Sequence, residues 1–487
     1  MDLNFKSIIR IIGILLLLTA GCMMLPVAVG VFYGEIDSIR AFVRVIFPCA
    51  IFGIAIYIGV KPSEKNIQNR DGYIIVALCW IVASLLGALP FFIQGCIPHY
   101  VDAFFETCSG FSTTGSSILT NVEALPKSML FWRSFTHWIG GMGILVFAVA
   151  LLPTLGIGGQ TIVSAETPGP TLSKITPKMS DMAKTLYIIY GIFTVTEIAL
   201  LMIGGMDLFD ASVHTFGTVG TGGFSDYSDS VAHFNSPFCE WVITIFMIAS
   251  GANFNLYYLG AVHGVRSIWK NSEFRLYIYI ICAFSALISI DLIATDTVSG
   301  VADSIRAAFF QVASIITTTS FATANYDLWP TFCKMLLFAL FFIGGCSSST
   351  GGGIKVIRIL VLLKLVKRNI TLKLHPNALY NIKVDGNKID SDTIQGIASF
   401  TFLYAAVFFG VAALISLDGG DIITNLSAAG TCLGNIGPGF AAVGPSMNFA
   451  AFSDMSKWIL SFTMIAGRLE LFTLLMLFSR RFWNPYR

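Results

Sequence analysis

Ten windows of this chain are apolar over about 20 residues each, the length of helix that crosses the hydrocarbon core of a bilayer. They run over 8–33, 40–60, 72–95, 128–153, 184–205, 238–263, 275–296, 331–366, 393–416 and 456–479. In lipid every backbone polar group needs an internal partner, so the windows read as helices and the chain as an all-α integral membrane protein. Composition agrees: 12% of the residues are charged, against roughly 25% in soluble domains. The formal net charge of +2 gives no sign of bulk nucleic-acid binding. The first window follows a basic start like that of a signal peptide. It is too long for one, and no clear small-residue cleavage site follows, so it reads as a first spanning helix. The ten cysteines lie mostly inside apolar runs with no paired spacing and read as small buried hydrophobes.

Basic residues orient the spans. Placing the N-terminus, 61–71, 174–184, 264–275, 355–388 and the C-terminus on one side gathers most of the 30 Lys and Arg there. That side is then cytoplasmic, with both termini on it. The stretches 96–127, 206–237, 297–330 and 417–455 fall on the opposite side, and they echo one another. They contain "DAFFETCSGFSTTGSS" from Asp102, "DASVHTFGTVGTGGFS" from Asp210, "DSIRAAFFQVASIITTTSFA" from Asp303 and "DIITNLSAAGTCLGNIGPGF" from Asp421. Each opens on an Asp suited to a helix N-cap. Each continues with helical potential and ends in a Gly/Thr/Ser run that no stable helix would choose. The closing positions Gly115, Gly223, Ser320 and Gly437 recur at roughly 100-residue intervals, so one unit occurs four times. The unit is span, short half-helix, polar loop, span. Non-helical backbone at membrane depth must line a watery path or be buried in protein. Four such loops around one axis would present carbonyl rings able to replace a cation's hydration shell. Thr and Ser would add hydroxyl oxygens. Asp102, Glu106, Asp210 and Asp421 either draw cations to the outer face or serve as plain helix caps.

A second interruption is "GGCSSSTGGGIK", Gly344 to Lys355, inside the window 331–366. It lacks the Gly-Lys-Ser/Thr succession of a phosphate loop and has no strand before it. Its glycines break the helix about halfway across the bilayer, and the freed backbone groups need protein or water partners. Two readings stand: a polar plug below the four loops, or a kink that lets helices pack.

These motifs together resemble the Trk/Ktr/HKT superfamily of potassium transporters, and within it the bacterial TrkH/TrkG-type membrane subunits. The matching segments are "DAFFETCSGFSTTGSS", "TVGTGGFS", "FFQVASIITTTSF", "GNIGPG", "GGCSSSTGGGIKVIRIL", "LGIGGQ…AETPGP" and "GRLELFTLL". The resemblance spans almost the whole chain. It implies four span–pore-helix–span repeats around a central pore, over 72–160, 161–264, 265–370 and 371–487, after two extra N-terminal transmembrane helices in 1–71. It implies a K⁺ filter made of Ser112, Thr113, Thr114 and Gly115; Gly220, Thr221, Gly222 and Gly223; Thr317, Thr318, Thr319 and Ser320; and Gly434, Asn435, Ile436 and Gly437. The ion would lie nearest the carbonyls of the two middle residues of each loop. Ser320 departs from the family pattern, which has glycine there. Serine at that position is associated with sodium transport in plant relatives, so a sodium-permeable or poorly selective filter is the alternative to a potassium one.

By the same resemblance the gate comprises Gly344, Gly345, Cys346, Ser347, Ser348, Ser349, Thr350, Gly351, Gly352, Gly353 and Lys355, with Arg468 beside it. An arginine at that depth is expensive and faces an interior cavity or a partner; an ordinary buried ion pair is its other reading. The resemblance further implies potassium uptake rather than enzyme chemistry, a homodimer in the lipid of the cell inner membrane, and a cytosolic TrkA-type regulatory subunit that binds the nucleotide. The basic run 355–388 is either its docking face or an orientation signal. No nucleotide motif occurs in this chain. His137 and His214 read as packing residues, and "GGMG" at 140–143 as a close helix contact. An ion-coupled solute transporter is the less favoured reading, because such proteins typically use paired inverted repeats.

Overall fold

The structure, a computed structural model, describes residues 3–61, 68–143, 179–378 and 380–483. Helices α1 (Phe5–Tyr33) and α2 (Ile36–Gly59) form a hairpin that turns at Gly34, whose φ is 72°. The pair packs closely because a Cβ on Gly13 would lie 2.6 Å from Ile56, and one on Gly53 2.8 Å from Leu17. Phe47, Phe52 and Ile58 of α2 stay exposed, as a lipid-facing surface does.

A long helix, a short helix and a third helix whose described part stops or bends then follow in turn, four times over. The first unit has α3 (Asn69–Gln94), α4 (Tyr100–Phe111) and α5 (Lys127–Gly141). The second has α6 (Met179–Ile203), α7 (Leu208–Val219) and the pair α8 (Pro237–Ser250) and α9 (Phe254–His263), bent by 88°. After the short α10 (Arg266–Lys270) comes the third, with α11 (Ser272–Ala294), α12 (Val301–Ile316), α13 (Thr331–Leu340) and α14 (Val356–Leu374). The fourth has α15 (Ser391–Ile415), α16 (Ile422–Gly434), α17 (Asp454–Arg468) and α18 (Phe472–Leu475). Between the third and fourth lies a small antiparallel hairpin, β1 (Lys383–Val384) with β2 (Asn387–Lys388).

The units close into a ring. Phe135 of the first stacks edge-on against Phe216 of the second at 5.4 Å. Ile243 and Met247 of the second share a core with Phe310 and Phe321 of the third. Leu337 and Phe341 of the third share one with Ile436 and Phe440 of the fourth. Leu433 and Met464 of the fourth belong with Trp80 and Phe105 of the first. The α1–α2 hairpin is fastened outside this ring: Glu35 accepts from the backbone N–H of Lys127 at 2.6 Å and of Ser128 at 3.0 Å. It thereby satisfies the open first turn of α5.

By length and composition six of these helices can cross a membrane, or eight if each bent pair is one span. Ten windows were expected. Of the other two, 128–153 ends as described helix at Gly141 and continues outside the described residues, as does the motif "LGIGGQ…AETPGP". The window 331–366 divides into α13 and α14. The sequence showed a break only there, yet the last helix of each unit stops or bends at a comparable point. Single glycines do this without lowering hydropathy. A Cβ on Gly140 would collide with the carbonyl oxygen of Phe111, and one on Gly467 with that of Leu433. The ends of the short helices intrude at mid-span, and only glycine lets the neighbouring helix pass. A second correction concerns the caps. The N-cap residues of α4, α7 and α12 are His99, Asp207 and Gly300. Asp102, Asp210 and Asp303 lie in the first turn instead, where the helix dipole still favours them. Only Asp421 is itself the N-cap residue.

Candidate pore and gate

The four short helices end alike. Ser112, Gly220 and Thr317 are right-handed, with φ of −72°, −72° and −84°. The next residue in each loop is left-handed: Thr113 (φ 55°), Thr221 (54°), Thr318 (57°) and, in the fourth, Asn435 (55°). The following N–H folds back on the carbonyl five residues earlier. Thr114 reaches Ser109 at 2.9 Å, and Gly222, Thr319 and Ile436 reach Gly217, Ser314 and Thr431 at 2.8 Å. This is the Schellman closure of a helix C-terminus. The last position is again left-handed in all four: Gly115 (81°), Gly223 (74°), Ser320 (76°) and Gly437 (97°). A β-branched residue with positive φ is an outlier. Three threonines in that state at equivalent places mark stored strain of the kind that gathers at functional sites.

The loops meet. The Ser320 hydroxyl donates to the carbonyl oxygen of Thr114 at 2.7 Å and also contacts that of Ile436. Carbonyl oxygens from two other loops therefore lie within reach of one side chain. A Cβ on Gly437 would sit 2.7 Å from the Thr114 oxygen, and Gly115 and Gly223 are closed in by the carbonyls of Gly222 and Thr319. The four loops thus meet one another through Thr114 and Gly115, Gly222 and Gly223, Thr319 and Ser320, and Ile436 and Gly437. Their hydroxyls, however, are largely used within the loops. Ser112 bonds Thr114 at 2.7 Å, and Thr317 bonds Thr319 at the same distance. Asn435 donates to the Thr114 hydroxyl at 2.9 Å. The carbonyls are the main groups the arrangement offers to an ion, with the buried Thr113 hydroxyl, which makes no hydrogen bond, beside them. Outside the loops lies a cavity of about 130 Å³ lined by Gly115, Gly223, Ser320 and Pro438, with Arg133 in its wall.

On the other side of the loops lies the glycine-rich segment. Its neck is closed by Gly344 N–H to the Ile354 carbonyl (2.7 Å) and Val356 N–H to the Gly345 carbonyl (3.1 Å). One limb holds to the α8–α9 break: Cys346 N–H donates to the Gly251 carbonyl at 2.8 Å, and Phe254 N–H to the Ser348 carbonyl at 3.2 Å. Ser349 hydroxyl returns to the Cys346 carbonyl at 2.7 Å. The other limb lies between the third and fourth loops and the end of α8. Gly352 N–H donates to the Thr318 hydroxyl at 2.7 Å, and the Thr350 hydroxyl to the Ser250 carbonyl at 3.1 Å. A Cβ on Gly352 would be 2.6 Å from the Gly434 carbonyl oxygen. Gly353, with φ of 65°, turns the chain back, and buried Lys355 donates to the Gly351 carbonyl.

Arg468 ends α17 and reaches this limb. Its guanidinium donates to the carbonyls of Thr350 (2.5 Å), Gly140 (2.7 Å) and Gly141 (2.6 Å). Two of these are carbonyls freed where α5 stops, a natural place for a cation. Glu470 pairs with Arg358, not Arg468.

The outer carboxylates are more neutralised than expected. Asp102 pairs with Lys457 at 2.6 Å, Glu106 with Arg133 at 2.7 Å, and Asp210 with Lys127 at 3.8 Å. Asp421 is exposed. His137 and His214 are buried, with ring nitrogens on the Gly110 and Asp210 carbonyls. Among the described residues no group of three or more His, Cys, Asp or Glu is placed to hold a metal ion. Sequence reasoning missed Arg133 and Glu273. Glu273 is 2% exposed and accepts from Ser347 of the glycine-rich segment. A carboxylate at the edge of an apolar window was its only signal.

Comparison with known proteins fits this geometry. A family model described as TrkH, cation transport protein, matches residues 38–484. The Trk system potassium uptake protein TrkH of Escherichia coli K12 is 38% identical over 485 residues, covering 99% of this chain and 100% of that protein. The Trk system potassium uptake protein TrkG of the same organism is 34% identical over 486 residues, 99% of each. The crystal structure of the potassium transporter TrkH from Vibrio parahaemolyticus matches with a TM-score of 0.89 at 36% identity, over 99% of this chain and 100% of that one.

Proposed function

Because the chain belongs to the TrkH family of cation transport proteins, we propose that it is the channel-like membrane subunit of a potassium-uptake system. The four loops act together as one filter, the repeats 72–160, 161–264, 265–370 and 371–487 surround it, and K⁺ is the substrate. The observation that carries this reading is the shared backbone of the loops, left-handed at the second and fourth positions and closed by the same hydrogen bond. Alternation of hand turns successive carbonyls toward one side, and carbonyl rings can replace an ion's hydration shell. The membrane potential drives influx at about 2.3 kcal/mol per charge per 100 mV.

The glycine-rich segment gates the path from the cytoplasmic side. Its plug limb stands under Thr318 and Gly434, and the Arg468 guanidinium holds that limb while placing a positive charge beneath the filter. The subunit acts as a homodimer in the inner membrane with both termini cytoplasmic. A cytosolic TrkA-type partner supplies nucleotide control. The exposed basic residues after α14 begins, Lys367 and Lys373 among them, form its docking face; Lys355 and Arg358 are buried and belong to the gate.

A relaxed, sodium-permeable filter is the second reading, favoured by Ser320. Its Cβ and hydroxyl stand among the carbonyls of the neighbouring loops. The test is ⁸⁶Rb⁺ uptake into proteoliposomes, competed separately by K⁺ and Na⁺, for wild type and Ser320→Gly. Competition by K⁺ alone supports the potassium filter. Equal competition by Na⁺, with discrimination restored by glycine, supports the relaxed one. Absence of Rb⁺ flux with the partner subunit present would reject the pore.

A further inference from the structure

Glu273 stands at the start of α11, outside every repeat motif, and is 2% exposed. Its carboxylate accepts three hydrogen bonds: from Ser347 N–H at 2.6 Å, from the Ser347 hydroxyl at 2.7 Å and from Ile357 N–H at 3.1 Å. Ser347 lies on the way into the glycine-rich loop and Ile357 just past its exit, in the first turn of α14. One carboxylate thus pins both stems of the loop and caps a helix whose first N–H groups have no partner within it. Charge-assisted bonds of this kind are about twice as strong as neutral ones. The Ser347 hydroxyl is held further by the Asn253 carboxamide at 3.3 Å.

The same helix start is gripped from the cytoplasmic side. The β-hairpin turns through Asp385 (φ 49°) and Gly386 (φ 84°), the Asp-Gly pair such turns favour. The Asp385 carboxylate accepts from Ser272 N–H at 2.9 Å and from the Asn271 side chain at 3.3 Å. Val384 and Ile389 of the hairpin share a core with Ile357 and Val361 of α14. The hairpin therefore touches both elements that Glu273 ties to the loop. Between the hairpin and Ser347 and Ser348 is a cavity of about 230 Å³, lined also by Asn255, Glu273 and Lys388. It leaves room for the hairpin to move relative to the loop.

We propose that Glu273 is a positioning residue that holds the glycine-rich loop beneath the filter loops, and that the hairpin bearing Asp385 is the handle through which the cytosolic side moves it. The proposal rests on the gating role assigned to the loop above. It differs from that reading in naming what fixes the loop's stems, as distinct from Arg468, which contacts the plug limb.

The test uses proteoliposomes without any partner, comparing wild type, Glu273→Gln, Ser347→Ala, Asp385→Asn and Arg468→Ala. Glu273→Gln keeps the shape but loses the charge and half the acceptor capacity. It is expected to raise ⁸⁶Rb⁺ flux about fivefold or more with K⁺ over Na⁺ preference unchanged. Ser347→Ala is expected to raise it less. With Cys346 as the only cysteine, Glu273→Gln speeds its labelling by a thiol reagent added on the cytoplasmic side. Asp385→Asn leaves basal flux near wild type but blunts activation when the cytosolic partner is added. If Arg468→Ala raises flux while Glu273→Gln and Ser347→Ala match wild type in flux and labelling, the anchor is wrong and the gate stands. If no variant raises flux, the gate fails and the anchor with it. Altered ion preference in Glu273→Gln would show general distortion and also overturn the proposal, with Ser347→Ala as the independent check should Glu273→Gln not fold.

Discussion

Ser320 brings carbonyl oxygens of two neighbouring loops to one side chain. At φ of 76° it carries a left-handed strain of roughly 1–2 kcal/mol for a non-glycine residue. Glycine there would relieve that strain but cost about as much in chain entropy. Ser320→Gly is therefore expected to change the melting temperature in detergent little, while sharpening discrimination of K⁺ over Na⁺ in the competition assay. An unaltered ion preference would show that the hydroxyl is a bystander to the Thr114 and Ile436 carbonyls. Thr318 gives a second expectation. Its hydroxyl accepts from Gly352 N–H, so Thr318→Val leaves that buried donor unpaired, at about 1–3 kcal/mol. The plug limb loses its tie, and basal Rb⁺ flux rises. Arg468→Ala acts in the same direction more strongly, because three carbonyls lose a charged donor. Wild-type flux in both, at normal expression, would contradict the gate.

The first and fourth units place the end of a short helix against a glycine of the neighbouring helix, Phe111 against Gly140 and Leu433 against Gly467. Gly467→Ala drives a methyl into the Leu433 carbonyl. Overpacking of this kind costs about 1–3 kcal/mol, and its place at the end of α16 distorts the fourth loop. Loss of transport and a lowered melting temperature are expected. Alanine at Gly396 or Gly410, where nothing lies within 4 Å, should be neutral or slightly stabilising, since alanine favours a helix interior. Much of this organisation was legible in the sequence. The long apolar windows and the four Gly/Thr/Ser runs announced spans and loops, because a bilayer demands the first and forbids the second except in protein or water. The mid-span breaks at Gly251 and Gly467 were not legible, since an isolated glycine barely alters an apolar window, and the glycines at 140–143 read only as a close helix contact. Nor was the pairing of Asp102 with Lys457 and Glu106 with Arg133, which joins residues far apart in the chain. The caps were misread by three residues because Asp suits both the cap and the first turn.

At the scale of the molecule, four units meet as a ring, and an outer hairpin is attached through Glu35. Glu35→Ala unpairs the first N–H groups of α5 and is expected to lower detergent stability by about 1–3 kcal/mol without altering ion preference, because α1 and α2 touch none of the four loops' carbonyls in the described contacts. A shift in K⁺ over Na⁺ preference would assign the hairpin a part in permeation. The central claim is that carbonyls from all four loops share one ion. The most direct measurement is the anomalous scattering of Rb⁺ in crystals of the protein. The account predicts a peak between Thr114, Gly222, Thr319 and Ile436, lost when Rb⁺ is replaced by K⁺. A Rb⁺ peak elsewhere along the path, with none between the four loops, would contradict it.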